Sequence, residues 1–282
     1  MQIPASPNFM EADHDFQIGS NHVVCQDYAM SGVVNDKFAY AIVCDGCSAS
    51  PDVDFGARAL ALGARETLRV AKSTPIPYEA FGAMAIGKAS AMFPIFPLLH
   101  PQALDSTLMV TWVQGDRAYA FLYGDGLFFH KTADSMRVVH VKFLPNPDVP
   151  NSKPAASYLA YTLDHTRHED YLKYSGPKQV LDTLIGPGGE SGIPVTRSPF
   201  ASVALETVVG PGDVVGVTSD GIESFKDGGG NYMDWRSVLP QFTAFKTFPG
   251  VFVRRRLQKF AQDCRSNSTT HFDDISLAAI HV

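Results

Sequence analysis

The stretch Phe38-Ala-Tyr-Ala-Ile-Val-Cys-Asp45-Gly46 is the part of the sequence that decides the fold. Its apolar run from Phe38 to Cys44 predicts a strand that is covered on both faces. Asp45 follows at the point where this strand leaves the core, and Gly46 allows the backbone to turn sharply. The stretch therefore predicts a carboxylate at the end of a buried strand.

Carboxylates mark the end of an apolar run at three further places. Two runs end in the pairs Asp125-Gly126 and Asp220-Gly221, and Asp273-Asp274 comes directly before the apolar run 275–280. A single Asp-Gly is most often a turn, and Asp125-Gly126 fits a hairpin loop because Leu127-Phe-Phe follows at once. Ionised carboxylates avoid burial unless they are paired or bind a metal. Four such ends in one chain therefore indicate a site for a hard cation, Mg²⁺ or Mn²⁺.

The composition is that of a globular protein and argues against general nucleic-acid binding. Of the 282 residues, 45% are hydrophobic and 18% are charged, the formal net charge is −6, and no basic stripe is present. No apolar run approaches the roughly 20 residues that span a membrane. The N-terminus lacks the basic start and apolar centre of a signal peptide. We therefore expect a cytoplasmic protein that binds neither nucleic acid nor membrane.

We expect residues 1–15 to be a flexible N-terminal lead-in and residues 16–282 to form a single catalytic domain. Apolar periodicity predicts helices over 55–70, 78–92 and 251–264, and strands over 23–30, 38–44, 106–112, 117–123, 127–131, 136–143, 203–208, 213–218 and 275–281. The four strands between 106 and 143 are joined by tight turns, which predicts a meander in one antiparallel sheet. Residues 145–200 predict an irregular, flap-like insertion with one helix over 169–184, a type of segment that often borders a functional site.

The cysteines allow more than one interpretation. Cys44-Asp-Gly-Cys47 has the spacing of a redox pair or of half a zinc site. Cys25 lies on the predicted strand that pairs with 38–44, so it could approach Cys44 or Cys47 and complete a structural zinc site. The simpler interpretation is that Cys44 is a small buried apolar residue.

Six short motifs, taken in order, resemble those of the metal-dependent protein serine/threonine phosphatases of the type 2C (PPM) class. The similarity runs from about residue 16 to the end of the chain. The motifs are Gly19-x-x-His22-x-x-x-Gln26-Asp27, Val43-Cys44-Asp45-Gly46, Asp105-Ser106-Thr107, Gly124-Asp125-Gly126, Ser219-Asp220-Gly221-Ile222 and Asp273-Asp274-Ile275-Ser276. The resemblance implies an α+β fold, a four-layer αββα sandwich of two antiparallel β-sheets flanked by helices.

The resemblance also implies a binuclear metal site of two Mn²⁺ or Mg²⁺ ions. Asp45 would bridge the two ions, the Gly46 carbonyl would bind one of them, and Asp220 and Asp273 would complete the other site. A water activated between the ions would hydrolyse phosphoserine or phosphothreonine in a protein without a protein nucleophile. By the same resemblance Asp27 would act through a water.

Asp125 matches the family turn that, together with Asp220, would support a third, weakly bound ion. A cognate serine/threonine kinase would then be a partner, and we expect a monomer.

Three residues depart from the common family pattern. His22 stands at the offset of an Arg that holds the substrate phosphate in many members, Gln26-Asp27 replaces Glu-Asp as in a bacterial branch, and Cys47 replaces a His found in some members. His22 can still donate to phosphate, without the bidentate fork of Arg. We therefore assign it to substrate binding and catalysis. A pseudophosphatase that binds or regulates with little or no turnover is the alternative hypothesis.

Overall fold

The computed structural model describes residues 10–71, 75–95, 100–187 and 189–282. Its helices and strands are β1 (Glu11–Gln17), β2 (Tyr28–Asn35), β3 (Phe38–Cys44), α1 (Val53–Ala71), α2 (Tyr78–Ser90), β4 (Leu108–Gln114), β5 (Arg117–Tyr123), β6 (Gly126–Lys131), β7 (Met136–Phe143), α3 (His165–Tyr174), β8 (Lys178–Gly186), β9 (Gly189–Arg197), β10 (Ala204–Val208), β11 (Val214–Thr218), β12 (Phe225–Lys226), α4 (Trp235–Phe242), α5 (Phe252–Ser266), β13 (Thr270–His271) and β14 (Ile275–His281). No helix in these ranges is long and apolar enough to cross a membrane.

Two large antiparallel sheets form the centre of the molecule. One has seven strands in the order β1-β14-β11-β6-β7-β8-β9, and the other has five in the order β10-β5-β4-β3-β2. Neighbouring strands within both sheets run antiparallel. The first and the last of these strands are neighbours, because β1 pairs along its whole length with β14.

Helices cover the outer faces of both sheets. Buried residues of β3, β4, β6, β7, β11 and β14 share one core between the sheets. The α1 stripe that includes Leu60, Ala64 and Leu68 packs with α2 on the five-stranded sheet. Phe252, Leu257 and other apolar residues of α4 and α5 pack on the seven-stranded sheet. The structure therefore confirms the predicted α+β sandwich with four αββα layers.

The predicted flexible lead-in over 1–15 is wrong for residues 11–15, which belong to β1; residues 1–9 lie outside the described residues. Apolar periodicity does not predict this strand, because it lies at the edge of the sheet and its sequence is mostly polar, Glu11-Ala-Asp-His-Asp-Phe-Gln17. One of its polar residues is buried for a structural reason. Asp13 Oδ2 accepts hydrogen bonds from the amides of Val253 (2.7 Å) and Arg254 (3.1 Å). These amides belong to the first turn of α5 and have no acceptor within the helix itself.

The predicted arrangement of two other regions is also corrected. The strand expected over 23–30 begins only at Tyr28, so Gln26 and Asp27 lie in the preceding loop. The meander expected over 106–143 is divided between the sheets, since β4 and β5 pair in one and β6 and β7 in the other. Asp125-Gly126 is therefore a crossing point between the sheets, with Gly126 at φ +135°, and not a hairpin loop.

The predicted irregular segment 145–200 contains more regular structure than expected. The helix predicted over 169–184 is wrong, because α3 ends at Tyr174 and β8 begins at Lys178. Gly176-Pro177 separates the two, and a Cβ at Gly176 would lie 2.1 Å from the Leu144 carbonyl oxygen. β8 and β9 form a hairpin that extends the seven-stranded sheet. Residues 145–174, which lie against the site described below, are named the flap segment here.

Candidate functional site

Asp45 lies directly after β3, and the loop before β4 fixes its main chain. The Asp45 amide donates to Thr107 Oγ1 (3.1 Å), and its carbonyl accepts from the Thr107 amide (2.8 Å) and the Ser106 hydroxyl (2.8 Å). Gly46 leaves no room for a side chain, since a Cβ would lie 2.8 Å from the Cβ of Val53. The Asp105-Ser106-Thr107 motif therefore holds the strand end that carries Asp45.

The charge of Asp220 acts on the carboxyl groups of both Asp45 and Asp125. Burial raises the pKa of Asp45 well above its usual range, and the charges of Asp27 and Asp220 raise it further. Burial followed by the charge of Asp220 does the same to the pKa of Asp125. Without a counter-charge, this group of carboxyls cannot ionise completely.

Asp27 lies beneath this group and is 1% exposed. Its Oδ2 accepts a hydrogen bond from Ser219 Oγ (2.7 Å), whereas its Oδ1 is buried and has no hydrogen-bond partner. Burial raises the pKa of Asp27 to about 7, against the lowering effect of Ser219. A buried carboxylate oxygen without a donor is rare in folded proteins and marks a place where a polar partner fits.

Asp274 holds the loop of residues 19–27 against the start of β14. Its Oδ1 accepts from the Gly19 amide (2.7 Å) and its Oδ2 from the Gln26 amide (2.5 Å), while the side chain is almost fully buried. The adjacent Asp273 is about half exposed. The sequence analysis assigned no role to Asp274. The only signal for one was the pair Asp273-Asp274, in which one carboxylate anchors the loop and the other faces solvent.

The structure brings His22 to the same cavity as Asp220 and Asp273. His22 Nδ1 lies 2.9 Å from Asp274 Oδ2 without the geometry of a hydrogen bond, and Nε2 lies 3.6 Å from Asp273 Oδ1. The cavity has a volume of about 370 Å³. Its remaining walls are formed by Asn21, Ser48, Glu223, Ser224, Tyr232 and Phe272.

Glu223 connects this cavity to a pair of basic side chains. Lys142 Nζ lies 3.0 Å from its Oε1, and His140 Nε2 lies 3.7 Å from its Oε2. Burial would raise the pKa of Glu223, but the interactions with His140 and Lys142 outweigh it and lower the pKa to about 2. Glu223 is therefore a fixed negative charge at the cavity, and no sequence motif pointed to it.

The flap segment is attached to the site through Asp105. Arg167 Nη2 lies 2.8 Å and 2.6 Å from the two carboxylate oxygens of Asp105, and the Arg167 guanidinium stacks over the Tyr161 ring at 4.9 Å. Ser50 Oγ also donates to Asp105 (2.9 Å). Tyr158, from the same segment, lies beside Cys47 and near Asp125. These contacts join distant parts of the sequence, so no local pattern predicted them.

The oxygen atoms of the predicted ligands suit a hard divalent cation. They are not, however, arranged around a common point where an ion would lie. All predicted side-chain ligands are carboxylates, the pKa values of Asp45 and Asp125 are raised by burial and by neighbouring carboxylates, and Asp27 has an oxygen without a hydrogen-bond partner. In residues 10–71, 75–95, 100–187 and 189–282, however, no three His, Cys, Asp or Glu side chains form a group that could hold a metal ion. In the same ranges Cys25, Cys44 and Cys47 form no disulfide and no metal-holding group.

Comparison with known proteins connects this arrangement to a family. A family model described as Protein phosphatase 2C matches residues 19–260. Curated proteins give no match.

Solved structures with the same fold include the PP2C phosphatase domain, with a fragment of the regulatory domain, of the cell fate determinant SpoIIE from Bacillus subtilis. The TM-score is 0.53 at 12% identity over 96% of this chain and 63% of that chain, so this chain spans less than two thirds of the SpoIIE fragment. A serine/threonine phosphatase of S. agalactiae gives 0.54 at 12% identity over 97% of this chain and all of that chain (100%).

RsbX, solved in complex with magnesium, gives a TM-score of 0.50 at 11% identity over 96% and 94% of the two chains. At these identities the solved structures establish the fold alone. The family model covers most of the sequence, including the His22, Asp45, Asp125 and Asp220 motifs. The chain belongs to the protein phosphatase 2C family.

Proposed function

We propose that this protein is a Mn²⁺- or Mg²⁺-dependent phosphatase that hydrolyses phosphoserine or phosphothreonine in another protein. The observation that carries the proposal is that the charge of Asp220 acts on the buried carboxyl groups of both Asp45 and Asp125, and that burial and this charge raise their pKa values. Membership of a metal-dependent phosphatase family supports it, and the magnesium complex of RsbX is in keeping with it.

In this proposal the chain's strand ends supply the ligands. Asp45, the Gly46 carbonyl, Asp220 and Asp273 would hold the two ions, and Asp125 would support a weaker third site with Asp220. When bound, the ions supply an activated water and neutralise charge on the phosphoryl group.

The other side chains of the site position these ligands and the substrate. Asp27 accepts the hydrogen bond of Ser219 through Oδ2 and offers Oδ1 to a water. His22 Nε2 lies 3.6 Å from Asp273 Oδ1. When Asp273 binds a metal ion, His22 donates from Nε2 to a phosphate oxygen of the substrate. The exposed Tyr232 ring at the cavity rim contacts the polypeptide on either side of the phosphorylated residue.

Hydrolysis of p-nitrophenyl phosphate by the purified protein tests the chemistry. We expect activity with Mn²⁺ or Mg²⁺ that is lost with excess chelator and falls at least 100-fold in Asp220→Asn, which keeps the shape of the side chain but removes its charge. Asp134→Asn is the matched control, because Asp134 is an exposed carboxylate in the β6–β7 turn. Activity that persists in Asp220→Asn contradicts the assignment.

Phosphopeptides test the substrate class. Matched peptides that differ only in carrying phosphoserine, phosphothreonine or phosphotyrosine are compared by kcat/KM with the better metal. Preference for the first two by at least tenfold supports the proposal, and equal or better hydrolysis of phosphotyrosine contradicts it. His22→Ala is expected to raise KM for the preferred peptide more than it lowers kcat, because the proposed contact is to the substrate phosphate.

One observation favours a second function, a pseudophosphatase that binds phosphoproteins without turnover. The carboxylates of the described residues are not gathered into a metal-holding group, and His22 is directed at Asp273 and Asp274. Calorimetric titration with a phosphoserine peptide at saturating Mn²⁺, beside the activity assay, separates the two functions, because an inactive site can still bind Mn²⁺. Binding of a phosphoserine peptide without hydrolysis at saturating Mn²⁺ would establish the second.

A further inference from the structure

A cavity separate from the carboxylate site lies between α2, the end of β5, the flap segment and the start of β8. Its volume is about 250 Å³, and its walls are mostly apolar. The side chains that the argument uses are Tyr78, Ala83, Tyr123, His168, Lys178 and Phe200.

The aromatic walls of this cavity present ring faces and few free polar atoms. Tyr78 and Tyr123 stack with centroids 4.2 Å apart, and both hydroxyls are already used, by the Leu122 carbonyl (2.7 Å) and the Tyr78 carbonyl respectively. His168 and Phe200, which also line the cavity, form a second stacked pair with centroids 4.5 Å apart. The cavity therefore suits a flat apolar group.

Lys178 is the exception in this apolar setting. It is the first residue of β8 and is 1% exposed, yet no described residue gives its ammonium group a hydrogen bond or an ion pair. Its cross-strand partner on β9 is Arg197, which carries the same charge. Burial, with a smaller effect of Arg197, lowers the pKa of Lys178 to about 8. Glu79 also lines the cavity, but it is exposed and its carboxylate is hydrogen-bonded to Ser202.

A buried lysine without a partner is rare, because the charged form loses its hydration without compensation. An anion that enters the cavity would supply that partner. A single ammonium group in apolar walls suits one carboxylate better than a doubly charged phosphate. The volume also fits a molecule of one ring, since an apolar cavity of about 150 Å³ already admits benzene.

We propose that this cavity binds a small aromatic carboxylate, with the ring between the Tyr78–Tyr123 and His168–Phe200 walls and the carboxylate paired with Lys178. The proposal is independent of the phosphatase function, because neither Lys178 nor the aromatic walls belong to the proposed metal site.

Isothermal calorimetry and ligand-observed NMR with phenylacetate test the proposal, with 2-phenylethanol as the uncharged probe of similar size. We expect saturable binding of phenylacetate by the full chain and binding of 2-phenylethanol that is at least tenfold weaker. Lys178→Met keeps the length of the side chain and is expected to weaken phenylacetate binding at least tenfold while leaving 2-phenylethanol unchanged. Lys37→Met, an exposed lysine in the β2–β3 turn, is the matched control and is expected to bind phenylacetate as the unsubstituted chain does.

Ala83→Leu provides a test that leaves the lysine intact. Ala83 lies on the exposed side of α2 and lines the cavity, so the larger side chain narrows it without disturbing the core. We expect at least tenfold weaker phenylacetate binding with an unchanged melting temperature. The proposal is overturned if the unsubstituted chain does not bind phenylacetate saturably, or if Lys178→Met or Ala83→Leu binds it with unchanged affinity.

Discussion

Replacing Lys178 by Met is expected to stabilise the folded protein, although the residue is fully buried. Met has nearly the same length, is apolar, and adapts to irregular space. The substitution removes an ammonium group for which the described residues supply no partner, and it leaves the apolar stem in place. Most substitutions of buried residues destabilise a protein, so a gain in stability would be specific to the electrostatic reasoning.

The expected size and pH dependence follow from the pKa of Lys178. Its fall from 10.5 to about 8 on folding corresponds to about 3 kcal/mol of lost stability. Because the folded-state pKa is lower than the unfolded-state pKa, this loss is complete below pH 8. It is relieved as the pH rises from 8 towards 10.5, where the unfolded chain also releases the proton. Lys178→Met should therefore gain about 3 kcal/mol at pH 7 and about 1 kcal/mol or less at pH 10.

Equilibrium unfolding in urea at pH 7 and pH 10 measures this difference directly. Lys37→Met is again the control, since an exposed lysine has little effect on stability and the other titrating groups are common to both chains. The reasoning is refuted if Lys178→Met is no more stable than the unsubstituted protein at pH 7. It is also refuted if the gain is equally large at pH 10, because apolar packing and not charge would then be its source.

Three further substitutions test the framework of the site. Asp274→Ala removes the acceptor of two buried amides and should cost about 2–4 kcal/mol in urea unfolding; a loss under 1 kcal/mol would contradict the anchoring role. Gly221→Ala places a Cβ 1.8 Å from a carbonyl oxygen and should lower the melting temperature by several degrees, whereas Gly87→Ala, in open space on α2, should not lower it. Arg167→Leu leaves the buried Asp105 carboxylate without its ion pair and should lower the free energy of unfolding by about 2–3 kcal/mol. Arg137→Leu, in the more exposed pair with Asp182, is the control and should lower it by under about 1 kcal/mol. Equal losses would contradict the reasoning from burial.

The sequence predicted the structure best where one element has a clear apolar period of its own. The apolar run 38–44 and the helical stripe in 55–70 correspond to β3 and α1 within one or two residues, because each has the period of its element and a clear end. The same reasoning located Asp45 and Asp220 at strand ends. Both residues lie where buried backbone pairing stops, and such a position can be read from the neighbouring residues alone.

Prediction failed where long-range pairing or a single contact outweighs the local pattern. β1 is polar yet ordered, since β14 pairs along its whole length and α5 uses one of its carboxylates. Asp125-Gly126 has the sequence of a hairpin loop, but β5 and β6 find their partners in different sheets. The position of Lys178 could not be foreseen, because a lysine in a polar segment is normally exposed.

The carboxylates at the site divide between those that the fold satisfies and those that it does not. Asp105 and Asp274 are buried and fully engaged, by Arg167 and Ser50 in one case and by two backbone amides in the other. Burial raises the pKa values of Asp45 and Asp125, and neighbouring carboxylates raise them further, so a positive charge beside them would favour their ionised forms. A fold selected for stability alone would pair or remove such groups. The engaged carboxylates hold the loops that carry the unsatisfied ones, and this difference is the strongest physical argument for the metal site that we propose.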